Sequence, residues 1–176
     1  MTTARRTAIA GWGLLGLSVL TLAACGFRPL YGGDLGGAAI TAELGTVRIG
    51  ELDDRLGQMV RNELLDLVTP LGQVPNARYV LQIDLFEEKE GLAIERDATI
   101  TRFNLTLTAS YDLLDARTRV RLNTGSVRAT AAYNVLRAEF ANVLAERDAE
   151  ARTARVVAEE IKTRLSIYFS RASGAR

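Results

Sequence analysis

From Phe103 to Leu113 the chain alternates without a break: Phe103, Leu105, Leu107, Ala109, Tyr111 and Leu113 are separated by Asn104, Thr106, Thr108, Ser110 and Asp112. Side chains that repeat every two residues belong to a β-strand with one buried and one wet face. The chain must therefore build a sheet and cover its apolar side. Tyr79, Leu81, Ile83 and Leu85 share a parity opposite Gln82 and Asp84, which predicts a second strand within 78–95. Thr46-Val47-Arg48-Ile49 suits a short first strand, and Arg96-Asp97 is expected at a hairpin tip. From Arg119 to about Val135 the apolar parity changes from Val120 and Leu122 to Val127, Ala129, Ala131 and Tyr133 across Gly125, so a β-bulge is expected there.

Two segments have the helical period instead. Leu56, Met59, Val60, Leu64, Leu67 and Val68 recur at three- and four-residue intervals after Asp53 or Asp54, either of which can cap the helix, and Pro70 closes it. Gly57 weakens that helix on propensity alone. Near the end, roughly Leu144 to Ser170, one stripe carries Ala154, Val157, Ala158, Ile161, Leu165 and Tyr168, with Asp148 to Arg152 and Glu160 to Arg164 spaced as i,i+4 pairs. The order strand, helix, three strands, helix predicts an α+β fold, a four-stranded, mostly antiparallel sheet with two helices packed on one face. The opposite face is expected to be rich in hydroxyls and amides.

Composition narrows the chemistry. There is no His and a single Cys, so nucleophile–His triads, His-ligated zinc and dithiol redox pairs are absent from the inventory. No catalytic residue, metal or cofactor is expected. Glu87-Glu88-Lys89-Glu90 invites a metal or glycosidase reading, but neighbouring strand residues point to opposite faces, so a solvated hairpin arm is the expectation. The formal charge of +1 lacks the basic excess of a nucleic-acid-binding surface.

The first 24 residues read as an export signal: Arg5-Arg6 supplies the basic region, and residues 7–24 carry no charge and include an apolar run from Gly11 to Leu20. Leu22-Ala23-Ala24-Cys25 follows and resembles the lipobox of bacterial lipoproteins. By that resemblance Cys25 becomes the first residue of the processed chain and carries a diacylglyceryl group and an N-acyl chain, an anchor with more than the one chain that durable attachment needs. An uncleaved membrane anchor, or an ordinary signal with an incidental Cys, are the competing readings. Gly26, in place of an Asp, points to the outer membrane under the family-level sorting rule. Residues 25–37, with Pro29 and five Gly after Cys25, suit a flexible tether, leaving 38–176 for a single domain.

Cys25-Gly26-Phe27-Arg28-Pro29-Leu30-Tyr31-Gly32, the helical stretch Asp54 to Asp66 and Ala158-Glu159-Glu160-Ile161-Lys162-Thr163-Arg164-Leu165 together resemble the LPS-assembly lipoprotein family LptE in its alphaproteobacterial form, over essentially the whole chain. The resemblance implies an outer-membrane lipoprotein, lipid-anchored on the periplasmic side, that plugs the lumen of a large β-barrel partner, LptD, and helps lipopolysaccharide into the outer leaflet. An accessory lipoprotein of an envelope phospholipid transporter is the alternative of similar size and anchor.

Lipopolysaccharide is anionic, and Arg suits bidentate phosphate contact. Residues 96–137 hold seven Arg against three acids. The binding candidates are Arg96, Arg102, Arg117, Arg119, Arg121 and Arg128. Arg96 matches, by its seven-residue spacing from Phe103, a basic residue implicated in ligand contact in relatives. Arg117, Arg119 and Arg121 share a strand parity and are expected to form one cationic row.

Overall fold

The computed structural model describes residues 35–70, 72–94, 100–135 and 138–174. The signal segment, Cys25 and the hairpin tip with Arg96 lie outside the described residues. In chain order the elements are α1 (Leu35–Leu44), β1 (Val47–Ile49), α2 (Arg55–Val68), β2 (Tyr79–Ile94), β3 (Ile100–Asp115), β4 (Arg121–Asn134) and α3 (Glu139–Gly174). The strands form one sheet in the order β1-β2-β3-β4. β1 runs parallel to β2, and the other two pairings are antiparallel.

Register explains the core. Leu81 pairs with Ile49 and Leu113, Ala109 pairs with Val127, and Leu107 pairs with Ala129, so the apolar parities of all four strands fall on one face. Ile49, Leu81, Leu107 and Leu113 are buried there. α2 and α3 cover this face side by side, presenting Val60, Leu64 and Val68 from one helix and Val157, Ala158, Ile161 and Leu165 from the other. In α3 the buried stripe ends on Phe169 rather than Tyr168, and the Phe169 ring meets Tyr79 at 5.1 Å between centroids.

Three local features depart from the periodicity reading. α1 is an additional helix. It begins at Leu35, within the stretch assigned to the tether, and seats Ile40 and Leu44 in the core. Gly57 makes room for a cap: Asp54 Oδ1 accepts from Gly57 N at 2.5 Å, and a Cβ on Gly57 would lie 2.5 Å from that oxygen and 2.7 Å from Leu52 Cβ. Gly125 is not a bulge. It pairs in regular register with Tyr111, whose ring occupies the space a Cβ would take, 2.6 Å from the hydroxyl oxygen. The irregularity in β4 falls instead at Leu122, which is skipped between the pairs Leu113 to Asn123 and Leu114 to Arg121. Val120 and Leu122 therefore stay outside the core, 58% and 36% exposed.

A candidate ligand and partner surface

Opposite the helices the sheet carries cross-strand rows of polar side chains. Glu88, Thr106 and Thr130 form one row, and the two Thr hydroxyls lie 3.0 Å apart. Phe86, Thr108 and Arg128 form the next, with Arg128 Nε donating to Thr108 Oγ1 at 3.3 Å. Asp84, Ser110 and Ser126 follow, then Gln82, Asp112 and Thr124. This is the hydroxyl-rich face that the alternation predicts. No described helix covers it. Phe86, 66% exposed, is the large aromatic on it.

The five arginine candidates among the described residues do not gather into one patch. Arg102, exposed, lies on the open-face parity at the hairpin end, paired with Ala93 and Asn134. Arg128 sits mid-sheet. Arg121 opens β4 at the other end and reaches Asp112 at 3.2 Å. At the strand rise of roughly 3.3 Å per residue, Arg102 and the position opposite Arg121 are about 40 Å apart, several screening lengths at physiological salt. The arginines therefore act as separate sites, and the segregated charge of 96–137 is a property of the sequence more than of the surface.

The expected row of Arg117, Arg119 and Arg121 is also corrected. Arg117 and Arg119 fall in the β3–β4 turn, and Arg119 has the left-handed φ of 61°, so no strand parity relates them. The turn is organised by Asp115. Its Oδ1 accepts from Arg117 N at 3.0 Å, Thr118 N at 2.7 Å and Thr118 Oγ1 at 3.0 Å. Chiefly through the Thr118 backbone donor, these bonds hold the Asp115 carboxyl below its ordinary range. A group so depressed stabilises the fold above the ordinary Asp value of about 3.9 and loses that contribution as the pH falls through its own lower one.

Glu87-Glu88-Lys89-Glu90 divides between the faces as strand geometry requires. Lys89 turns towards α3, where its Nζ meets Glu146 and lies 3.2 Å from Glu87 Oε1. The Glu146 hydrogen bond in particular pushes Lys89 up to about 12. Nearby, Glu150 of α3 is buried and accepts from Arg55 Nη2 at 2.5 Å; that bond, then its charge, raises the guanidinium value. These contacts join α3 to β2 and to the start of α2. Among the described residues no acidic cluster has a metal-holding arrangement, and no helix is long and apolar enough to cross a membrane.

A family model described as LptE, Lipopolysaccharide-assembly, matches residues 44–165. The chain belongs to the LptE family. It is thus a lipopolysaccharide-assembly lipoprotein by family, and its open four-stranded sheet with helices on one side is the family's α+β fold. A lipoprotein structure from Caulobacter crescentus CB15 superposes with a TM-score of 0.63 at 20% identity, covering 74% of this chain and 96% of that one. Rare lipoprotein B from Shewanella oneidensis gives 0.56 at 12% identity, covering 72% and 96%. Lipoprotein B from Nitrosomonas europaea gives 0.54 at 19% identity, covering 70% and 82%. At these identities the likeness concerns the fold. No curated protein matches the sequence.

Proposed function

We propose that this LptE-family chain is an outer-membrane lipoprotein, anchored through acyl chains on Cys25, that acts without catalysis as plug and assembly partner of an LptD-type β-barrel and assists lipopolysaccharide into the outer leaflet. The family match over residues 44–165 carries the reading. The open face supports it: a barrel lumen is polar and wet, and Thr106, Thr108, Ser110, Thr130 and Arg128 offer such a lumen hydrogen-bonding groups without demanding a dry interface. Lipopolysaccharide contact is assigned to the hairpin end, to Arg102 and, by its spacing from Phe103, to Arg96, with Arg128 further along the same face. Guanidinium forks there would meet phosphates of the glycolipid.

Two measurements test this. Detergent extraction of outer membranes should yield the lipidated chain bound to a large β-barrel through a high-salt wash; recovery as a free lipoprotein, or with an inner-membrane phospholipid transporter, would refute the plug role. In the full chain, Arg96→Glu with Arg102→Glu should weaken lipopolysaccharide binding roughly tenfold, the scale of one lost charge-assisted contact. Unchanged affinity at low salt, where charge contacts are strongest, would remove these residues from the ligand site.

A further inference from the structure

The opposite end of the sheet carries a different combination of groups. Arg117 and Arg119 are exposed and make no ion pair among the described residues. The acid of the turn, Asp115, commits its Oδ1 to the turn's own donors and also feels the Arg117 charge. Asp115 N donates to Val120 O and Arg119 N to Asp115 O, both at 2.9 Å, so the turn is closed by backbone bonds as well. Both cations are thus presented by a fixed loop.

Aliphatic surface adjoins them. Arg48, Val80, Leu114 and Arg121 form one cross-strand row on the open face, in which the two arginines are exposed, Leu114 is half-buried and Val80 is buried; beyond the turn Val120 and Leu122 are 58% and 36% exposed. Arg78, paired with Glu43, lies at the same end, and its carbonyl accepts from Ala116 N at 2.9 Å. Five arginines here face Glu43, Asp112 and Asp115, an excess of two positive charges. Guanidinium groups around a few aliphatic side chains suit a headgroup layer, where the cations meet phosphate and the apolar groups sit below them.

Thr46, two residues beyond α1, accepts from Arg78 N at 3.0 Å, so α1 leads directly to the turn.

We infer that the β3–β4 turn, with Arg117, Arg119 and Val120 at its centre, docks on anionic phospholipid headgroups. The docking is distinct from the proposed lipidation of Cys25, and it separates the arginines of this end from the glycolipid contacts of the other. Trp12, the one tryptophan, lies in the signal segment, so Val120→Trp places a sole tryptophan in the processed chain. The lipidated Val120→Trp protein is added to vesicles of phosphatidylcholine alone, or of phosphatidylcholine with a quarter phosphatidylglycerol, each containing brominated lipid.

The expected result is a blue-shifted emission, quenched several-fold more strongly on the anionic vesicles and released by Arg117→Glu with Arg119→Glu or by high salt. Val156→Trp, at an exposed site on α3, should respond on neither. Equal quenching on both vesicles, or quenching that survives the charge reversal, would overturn the inference. So would quenching that appears only when lipopolysaccharide is added, which would return these arginines to the glycolipid. Flotation of the protein reads the anchor separately. Protein that floats with neutral vesicles but leaves the introduced turn indole unquenched on anionic ones keeps the anchor and loses the docking. Protein that floats only with anionic vesicles, with that indole quenched, keeps the docking and loses the anchor; floating with neither sinks both.

Discussion

The two faces of the sheet are made by the same strands and obey opposite rules. On the helix side Leu105, Leu107 and Leu113 are fully buried, between the flanking strands and beneath the helical layer. On the other side Thr106, Thr108 and Ser110 touch mainly cross-strand partners and water. Stability is therefore concentrated in one layer, and the other is free to vary with whatever it meets. In an assembly protein this division lets a contact surface change without risk to the fold.

Substitutions can break that contrast in order of effect. Leu107→Ala should cost about 2–5 kcal/mol in denaturant unfolding, the usual range for a fully buried Leu that leaves a cavity. Arg55→Ala should cost about 1–2 kcal/mol, because it strips the buried Glu150 carboxylate of its partner, although the Arg55 side chain is 57% exposed and water screens the pair. Gly57→Ala sharpens the comparison by its sign. Propensity alone favours Ala in a helix by up to about 1 kcal/mol, yet the added methyl collides with Asp54 and Leu52, so we expect a net loss of about 1 kcal/mol through the cap. A gain in thermal midpoint would refute that account of the helix start. Thr106→Ala, one residue from Leu107 but on the open face, should change stability by less than about 0.5 kcal/mol. If it costs as much as Leu107→Ala, the open face is not the free surface described here.

Much of this was legible in the sequence because burial imposes a period. The parity of Phe103 to Leu113 fixed which face of β3 is dry, and β2, α2 and α3 followed from the same logic. What escaped it depended on contacts distant in sequence. A glycine inside a strand signals either a bulge or a close approach, and only the Tyr111 ring, fourteen residues away, decides for the second at Gly125. Gly36 and Gly37 disguised α1, whose helix is held by Ile40 and Leu44 against the core; the run Ala38-Ala39-Ile40-Thr41-Ala42 was the available signal. Parity misled at Arg117 and Arg119 because Asp115-Ala116-Arg117-Thr118 is turn chemistry, an Asp side chain accepting from backbone donors two and three residues on. The arginine candidates looked clustered because sequence distance conceals how far a long hairpin carries its residues apart.

The fit of Tyr111 against Gly125 has a consequence for how the outermost strand finds its place. Sliding β4 by one position would set Thr124 or Ser126 under the ring, where a side chain has no room, and would also turn Val127 and Ala129 towards water. One missing methyl thus works as a key in a lock: a newly folding chain can zip this border strand in one alignment and is turned away from its neighbours.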